Sequence, residues 1–219
     1  LCTDAAAAEP RTKKILTLLD ERGCPVFSTR EEIYKKASAT MSPQGFLLVM
    51  RQQKAKLDDL LTEERTPFFV VLDGLQDPGN AGAIIRTADA AGCKGIILLE
   101  GTVDLFSDKT VRATMGSMFH MPVVVHANRQ ETTVLLQSHG IHLLVTALDD
   151  TAKQHFAIDY TQPFAVVFGN EGNGASSELL AAAEEKIYIP MYGQAESLNV
   201  STAAAVVLYE AVRQRTQPQ

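Results

Sequence analysis

The chain has 219 residues, 46% of them hydrophobic, and carries 20 Lys+Arg against 26 Asp+Glu for a net charge of −6, which is compatible with a packed globular core in one large domain, or in one domain with a smaller companion. No run of about 18 or more apolar residues is present to cross a membrane, and the opening "LCTDAAAAEP" lacks the basic and apolar regions of a secretory signal, so an intracellular setting is expected, a bacterial cytoplasm with an organelle matrix left open. The negative charge argues superficially against nucleic acid, but residues 1–65 carry 11 Lys+Arg against 10 Asp+Glu and the rest 9 against 16, so the N-terminal part can still meet phosphates. Its basic clusters are Arg11 to Lys14, Lys35 with Lys36, and Arg51 with Lys54 and Lys56; taken singly, each reads more readily as a solvated face.

Cys2, Cys24 and Cys93 are odd in number and lack metal-ligand spacing, which points to reduced structural thiols. The chain starts at Leu1, and an incomplete N-terminal part is expected. In chain order, "RTKKILTLLDERG" places Ile15, Leu18 and Leu19 at helical spacing and closes on Gly23. "PVFST" reads as a short strand, "REEIYKKAS" as a second helix and "GFLLVM" as a buried strand. Together they make a small α/β unit over residues 1–51. The charged stretch that follows has no strand pattern, which sets a linker at residues 52–66.

From residue 67 to 219 the pattern becomes apolar strand, turn, helix. The strands are "FFVVLDGL", "KGIILLEG", "MPVVVH", "IHLLVTAL", "PFAVVFG" and "KIYIPM"; the helices between them include "NAGAIIRTADAAG", "TVRATMGSMFH", "ETTVLLQSHG" and "SSELLAAAE", and a last one runs through Val212. Continuous Val/Ile/Leu strands separated by helices predict an α/β fold with a parallel sheet covered on both faces, whose ligands bind beyond the carboxyl ends of the strands.

Three segments carry candidate chemistry. In "LDGLQDPGNAGAIIRTADAAG", Asp77-Pro78-Gly79 is a turn, Asn80 is a capable N-cap, and Arg86 falls six positions later among Ile84, Ile85 and Ala88. A guanidinium there calls for a partner, either a salt bridge to an aspartate such as Asp89 or a bound anion. "VVFGNEGNGAS" has three glycines after a buried strand, giving backbone freedom at φ > 0, with Glu171 between them and Ser176 able to cap the next helix. Neither segment is a dinucleotide or nucleotide-phosphate loop. "PMYGQAESLNVSTAAAVVLYEAVRQR" crowds Glu196, Ser197, Asn199 and Ser201 around Leu198 at the start of a helix, more caps than one helix needs.

Together and in this order, the three segments resemble the signature motifs of the SpoU family of RNA ribose methyltransferases, in the knotted SPOUT superfamily. "TVRATMGSMFHMPVV" between the first two fits the same pattern, and the likeness runs from about Phe68 to Arg215. Residues 1–51 look like the small RNA-recognising α/β domain that often precedes the catalytic one. The resemblance implies S-adenosylmethionine as methyl donor, a ribose 2′-hydroxyl of RNA as acceptor, large-subunit rRNA ahead of tRNA, a trefoil knot at the C-terminal end of the sheet, and a homodimer with the active site at the subunit interface. It also puts Asn80, Arg86, Glu171, Ser197 and Asn199 on catalytic positions, and Gly169, Ile189 and Leu198 on cofactor-contacting ones. Ala147 and Met191 fall in loops that line the same pocket.

A 2′-hydroxyl is a poor nucleophile and needs alignment and proton removal. Arg86 is read either as the base or, because guanidinium rarely loses its proton, as a bidentate clamp on an RNA phosphate. No metal is required, and His120, His126, His139, His142 and His155 are scattered. The rivals are base methylation, which does not suit the Asn80 to Arg86 pattern, and a catalytically inactive RNA-binding or ribosome-assembly module of the same fold.

Overall fold

The computed structural model describes residues 1–38, 40, 42–52, 55–61 and 66–216. The chain forms two compact units, Leu1–Gln52 and Gln53–Gln219.

The first unit holds three helices: α1 (Asp4–Ala8), α2 (Pro10–Glu21) and α3 (Glu31–Ala37). Pro10 opens α2 where its missing N–H costs nothing, and α3 has glutamates in its first turn and lysines in its last, complementing the helix dipole. Neither expected strand forms. Cys2 bridges Ser28 on one side and Phe46 on the other, each as an isolated single-residue pairing. "GFLLVM" is therefore not a buried strand: Leu1 and Leu47 exchange two backbone hydrogen bonds, but beyond them Val49 is 90% exposed and Leu48 and Met50 are also exposed. A hydrophobic run becomes a strand only where neighbours cover it.

The second unit is a seven-stranded, wholly parallel sheet in the order β3-β2-β1-β6-β4-β7-β5. Its strands are β1 (Phe68–Asp73), β2 (Gly95–Leu99), β3 (Val123–Ala127), β4 (His142–Thr146), β5 (Lys153–Gln154), β6 (Phe164–Gly169) and β7 (Glu185–Tyr188). The helices are α4 (Pro78–Ala90), α5 (Asp108–Ala113), α6 (Arg129–Ser138), α7 (Ser177–Ala182) and α8 (Val200–Thr216). All six residues of β1 and of β6 are buried, as a strand covered on both faces requires. Alternate side chains build two cores. Phe68, Val70 and Leu72 of β1 join Ile84, Ile85 and Ala88 of α4 and Ala204, Val207 and Leu208 of α8. Phe69 and Val71 face the other way, with Leu136 of α6 and Leu179 of α7.

Three expectations change. The stretch read as a charged linker contributes to this unit: Leu57–Leu60 forms a 3-10 turn, and Leu60 is buried in the second core, because Gly95 leaves room for its side chain where a Cβ would collide with it. Of the basic residues noted there, Lys54 lies outside the described residues. The helix expected at "TVRATMGSMFH" stops at Ala113, and Met115 (φ 51) and Gly116 (φ 98) turn the chain into a separate 3-10 turn. At the start of α4, Asp77 rather than Asn80 is the cap, since Pro78 occupies the first helical position and the Asp77 carboxylate accepts the Asn80 N–H at 2.8 Å.

Helices α4 and α5 touch at Gly82, where an added Cβ would strike Ala113 and lie 2.9 Å from the Thr110 carbonyl oxygen. Backbone there cannot yield cheaply, so Gly82→Ala is expected to destabilise the fold by about 1–3 kcal/mol. At Gly193 nothing lies within 4 Å of an added Cβ, and Gly193→Ala is the near-neutral control. Thermal unfolding checks the pair: a drop confined to Gly82→Ala is expected, and equal melting temperatures would refute the close approach.

Candidate active site

The chain runs outward from β1 through β2 to β3, then continues on the other side of β1. The carboxyl ends of β1 and β6 therefore sit where strand order reverses, the usual place for a crevice in an open parallel sheet. Four loops open there, and each begins at a strand end: after β1 at Asp73, after β4 at Thr146, after β6 at Gly169 and after β7 at Tyr188.

The loop after β6 is held from below. Asp73, 3% exposed, binds Arg129 through Nε at 2.8 Å and Nη2 at 2.7 Å, while its second oxygen accepts the Ser176 N–H at 2.7 Å. A carboxylate buried this deeply is tolerated because both oxygens have partners. Asn170 ties the same loop down, donating to the Gly74 carbonyl at 2.8 Å and accepting from Gly172 and Asn173. Of the loop's three glycines, Gly174 alone sits at positive φ, 71°. Gly169 is needed for a different reason: a Cβ there would run into the backbone of Gly174 and Ala175. Ser176 occupies the cap position of α7, but its hydroxyl makes no capping bond and is buried without a partner among the described residues, while its backbone N–H donates to Asp73. Nothing in the sequence pattern singled out Asp73, Arg129 or Asn170. The one cue was an aspartate closing an apolar strand, where its carboxylate must point to the ligand end of the sheet.

On this base Glu171 collects donors. Its carboxylate accepts the backbone N–H groups of Gln76 (3.1 Å) and Asp77 (3.2 Å) and the side-chain amide of Asn80 (3.1 Å). Partial burial pushes its pKa up, but the Asn80 amide and these backbone groups outweigh that and hold it below the ordinary carboxylate range. The line continues. Because Glu171 accepts only, Asn80 must turn its NH2 toward it, leaving its oxygen free to accept the Asn199 amide at 3.0 Å. Asn199 in turn uses its own oxygen to accept the Ser201 N–H (2.9 Å) and hydroxyl (2.6 Å) at the first turn of α8. Asn199 is thus the cap of α8 as well as a link to α4, so among the several cap candidates of this stretch one does two tasks.

Beside this line lies a cavity of about 690 Å³, lined by Ala147, Gly169, Glu171, Ile189, Met191, Ser197, Leu198 and Asn199 among others. All five expected cofactor-contacting residues, Ala147, Gly169, Ile189, Met191 and Leu198, lie on its wall, and so do three of the five expected catalytic ones. Ser197 is exposed and makes no hydrogen bond among the described residues. Asn80 reaches the cavity edge through Glu171 and Asn199. Arg86 does not reach it: it is exposed on α4, roughly 9 Å along the axis from Asn80, and has no ion pair among the described residues. The salt bridge to Asp89 does not form, because Asp89 is engaged by His120 at 2.9 Å. Exposure also removes the premise that a buried guanidinium calls for a partner.

The size and lining suit S-adenosylmethionine. A cavity of this volume is in the range for such ligands. Ile187, Ile189, Leu198 and Val207 supply apolar walls, and the carboxylates of Glu171 and Glu196 on the same wall favour a cation.

Comparison with known proteins agrees with this geometry. The SpoU rRNA Methylase family pattern matches residues 67–209. A 23S rRNA (guanosine(2553)-2′-O)-methyltransferase of Bacillus subtilis is 38% identical over 189 residues, covering 86% of this chain and 73% of that protein. A tRNA (guanosine(18)-2′-O)-methyltransferase of Thermus thermophilus is 37% identical over 165 residues, covering 74% of this chain and 83% of its own. Among solved structures, an AdoMet-bound rRNA methyltransferase from Sinorhizobium meliloti superposes with a TM-score of 0.85 at 35% identity, covering 95% of this chain and 79% of that one.

The lowered pKa of Glu171 fixes the sign of a pH effect. A carboxylate held below its unfolded value stabilises the fold above about pH 4.3, and that stabilisation is lost as pH falls through the folded value. Glu171→Gln is therefore expected to melt roughly 2–4 °C below the parent near pH 7, with the gap closing once acid protonates the Glu171 carboxylate in the folded chain. A gap that is the same at both pH values would contradict the ionised network.

Proposed function

The chain belongs to the SpoU rRNA methylase family, and from that premise we infer that it transfers a methyl group from S-adenosylmethionine to a ribose 2′-hydroxyl of RNA, with large-subunit rRNA ahead of tRNA as substrate. The observation that carries this reading is the line from Glu171 through Asn80 and Asn199 to the first turn of α8, laid against a cavity of cofactor size.

S-adenosylmethionine, when bound, supplies an electrophilic methyl on a sulfonium. Gly169, Ile189, Met191, Leu198 and Ala147 are the residues that would hold it. The chain's own task is to bring a weak nucleophile into line while its proton passes to the RNA phosphate clamped by Arg86 or to an ordered water. Ser197, exposed on the cavity wall with its hydroxyl unengaged, is available to orient the ribose. Asn80 and Asn199 are fixed by their mutual bond, so they contribute a rigid polar edge at no reorganisation cost when the reaction occurs. Glu171, kept ionised and weakly basic by its donors, is an electrostatic anchor and not the proton acceptor.

Arg86 enters as a phosphate clamp, its planar fork matching a phosphodiester in two parallel hydrogen bonds. Its exposure on α4, away from the cavity of its own chain, supports a homodimer in which Arg86 of one copy serves the cavity of the other. The trefoil knot belongs to the same reading, supported by the position of β6 between β1 and β4 and by the packing of α8 against α4. Residues 1–51 are assigned to RNA recognition ahead of a catalytic domain at 67–219.

Calorimetric titration with S-adenosylmethionine separates an enzyme from an inactive module of the same fold: saturable binding is expected, and none at millimolar cofactor would favour the module. Arg86→Lys is expected to lower kcat/KM for RNA by about 10-fold or more while leaving cofactor binding intact; near-normal turnover would contradict the clamp. Co-expression of Arg86→Ala chains with chains carrying Ser197→Ala and Asn199→Ala tests sharing across the dimer. Random pairing then leaves one intact site in each mixed dimer, about a quarter of full activity, whereas an Arg86 acting within its own chain gives none.

A further inference from the structure

The loop between β7 and α8 turns three apolar side chains, Ile189, Met191 and Leu198, onto the cavity wall. Tyr192, in the same loop, does the opposite. It is 88% exposed, its hydroxyl makes no hydrogen bond among the described residues, and the chain beside it is open, with nothing within 4 Å of where a Cβ of Gly193 would stand. We propose that Tyr192 is a stacking platform for the base of the nucleotide whose ribose is methylated, which makes it a substrate-positioning residue at the cavity rim.

The base of a nucleotide is attached at C1′, next to the C2′ carbon that carries the reacting hydroxyl. When that hydroxyl is presented near Ser197 and Asn199, the base therefore lies within a few ångströms of the cavity mouth and must be held by the rim. Single-stranded RNA is recognised with its bases splayed out and stacked on aromatic side chains, and an aromatic ring at the rim supplies such a face. The loop's composition selects the base over the backbone. From residue 189 to 199 its one charged side chain is Glu196, so the loop repels phosphate and offers no cation to bind it, whereas an aromatic face stacks on any base regardless of charge.

This inference rests on the RNA methyltransfer reading, and its test keeps the two apart. The chain contains no tryptophan, so Tyr192→Trp installs a single indole reporter at the rim. With unmodified 23S rRNA transcribed in vitro as probe, and S-adenosylhomocysteine present to prevent turnover, the indole emission is expected to be quenched as RNA saturates. In methylation assays on the same transcript, Tyr192→Ala and Tyr192→Leu are each expected to lower kcat/KM for RNA by about 5- to 100-fold, while Tyr192→Phe and Tyr192→Trp retain most of it and cofactor affinity stays unchanged in all four. A Leu variant as active as Phe would reduce the contact to plain apolar burial and overturn the stacking claim. So would an unchanged Ala variant, an unquenched indole, or a Tyr192→Ala chain whose oligomeric state shifts in sedimentation, which would assign the ring to a second copy. If the parent chain itself leaves the rRNA unmethylated, it is the rRNA reading that fails.

Discussion

Everything at the ligand end of the sheet depends on a single polarised line of hydrogen bonds whose direction is forced at both ends. At one end Glu171 can only accept; at the other, the free N–H groups at the start of α8 can only donate. Two asparagines between them have no choice of orientation: each must turn its amide toward the carboxylate side and its oxygen toward the helix. The bond between Asn80 and Asn199 joins residues 119 positions apart in the chain, so this line fastens the start of α4 to the start of α8 across the crevice. Reversing either amide would place two donors or two acceptors face to face.

Such a line holds only if its ends are held. Under Glu171, the buried Asp73 grips Arg129 and the Ser176 N–H, and Gly169 lets two stretches of backbone lie closer than any side chain would permit. At the far end of α8, Arg215 lies 5.0 Å over the Phe68 ring and 5.1 Å over Phe164, and donates to the carbonyls of Thr66, Tyr160 and Gln162. Helix α8 is thereby pinned at the amino ends of the strands by a cation and at their carboxyl ends by the amide line. The segment between β7 and α8 is free to shape a cavity because neither of its anchors can drift. Polar groups fixed by their mutual bonds thus stand on one side of the cavity and an apolar wall on the other.

Much of this is legible in the residues. The apolar strands with intervening helices gave the parallel sheet because a strand buried on both faces has no polar alternation to confuse with anything else. The three motif segments converge in space because each follows a strand that ends at the same edge. What is not legible has a common cause, which is that tertiary partners decide it. "GFLLVM" has a strand's composition and remains exposed because its first unit supplies single-residue bridges and no ladder. Leu60 looked like part of a charged linker and is core because of a glycine 35 residues away. Asp77 displaced Asn80 as the cap, which freed the Asn80 side chain for the site. Arg129 gave no local signal and Asp73 only its place at the end of an apolar strand, since a buried ion pair is a property of two distant positions. Arg86, expected inside the site, stands outside the cavity of its own chain.

This arrangement directs a methyl group to ribose oxygen. The most direct measurement supplies the protein with S-adenosylmethionine bearing a deuterated methyl, incubates it with unmodified 23S rRNA, and locates the label by mass spectrometry of the released nucleosides. A labelled 2′-O-methyl nucleoside is expected, with the adjoining phosphodiester resistant to alkali because its 2′-hydroxyl is blocked. Label on a base, with every ribose unmodified, would contradict it.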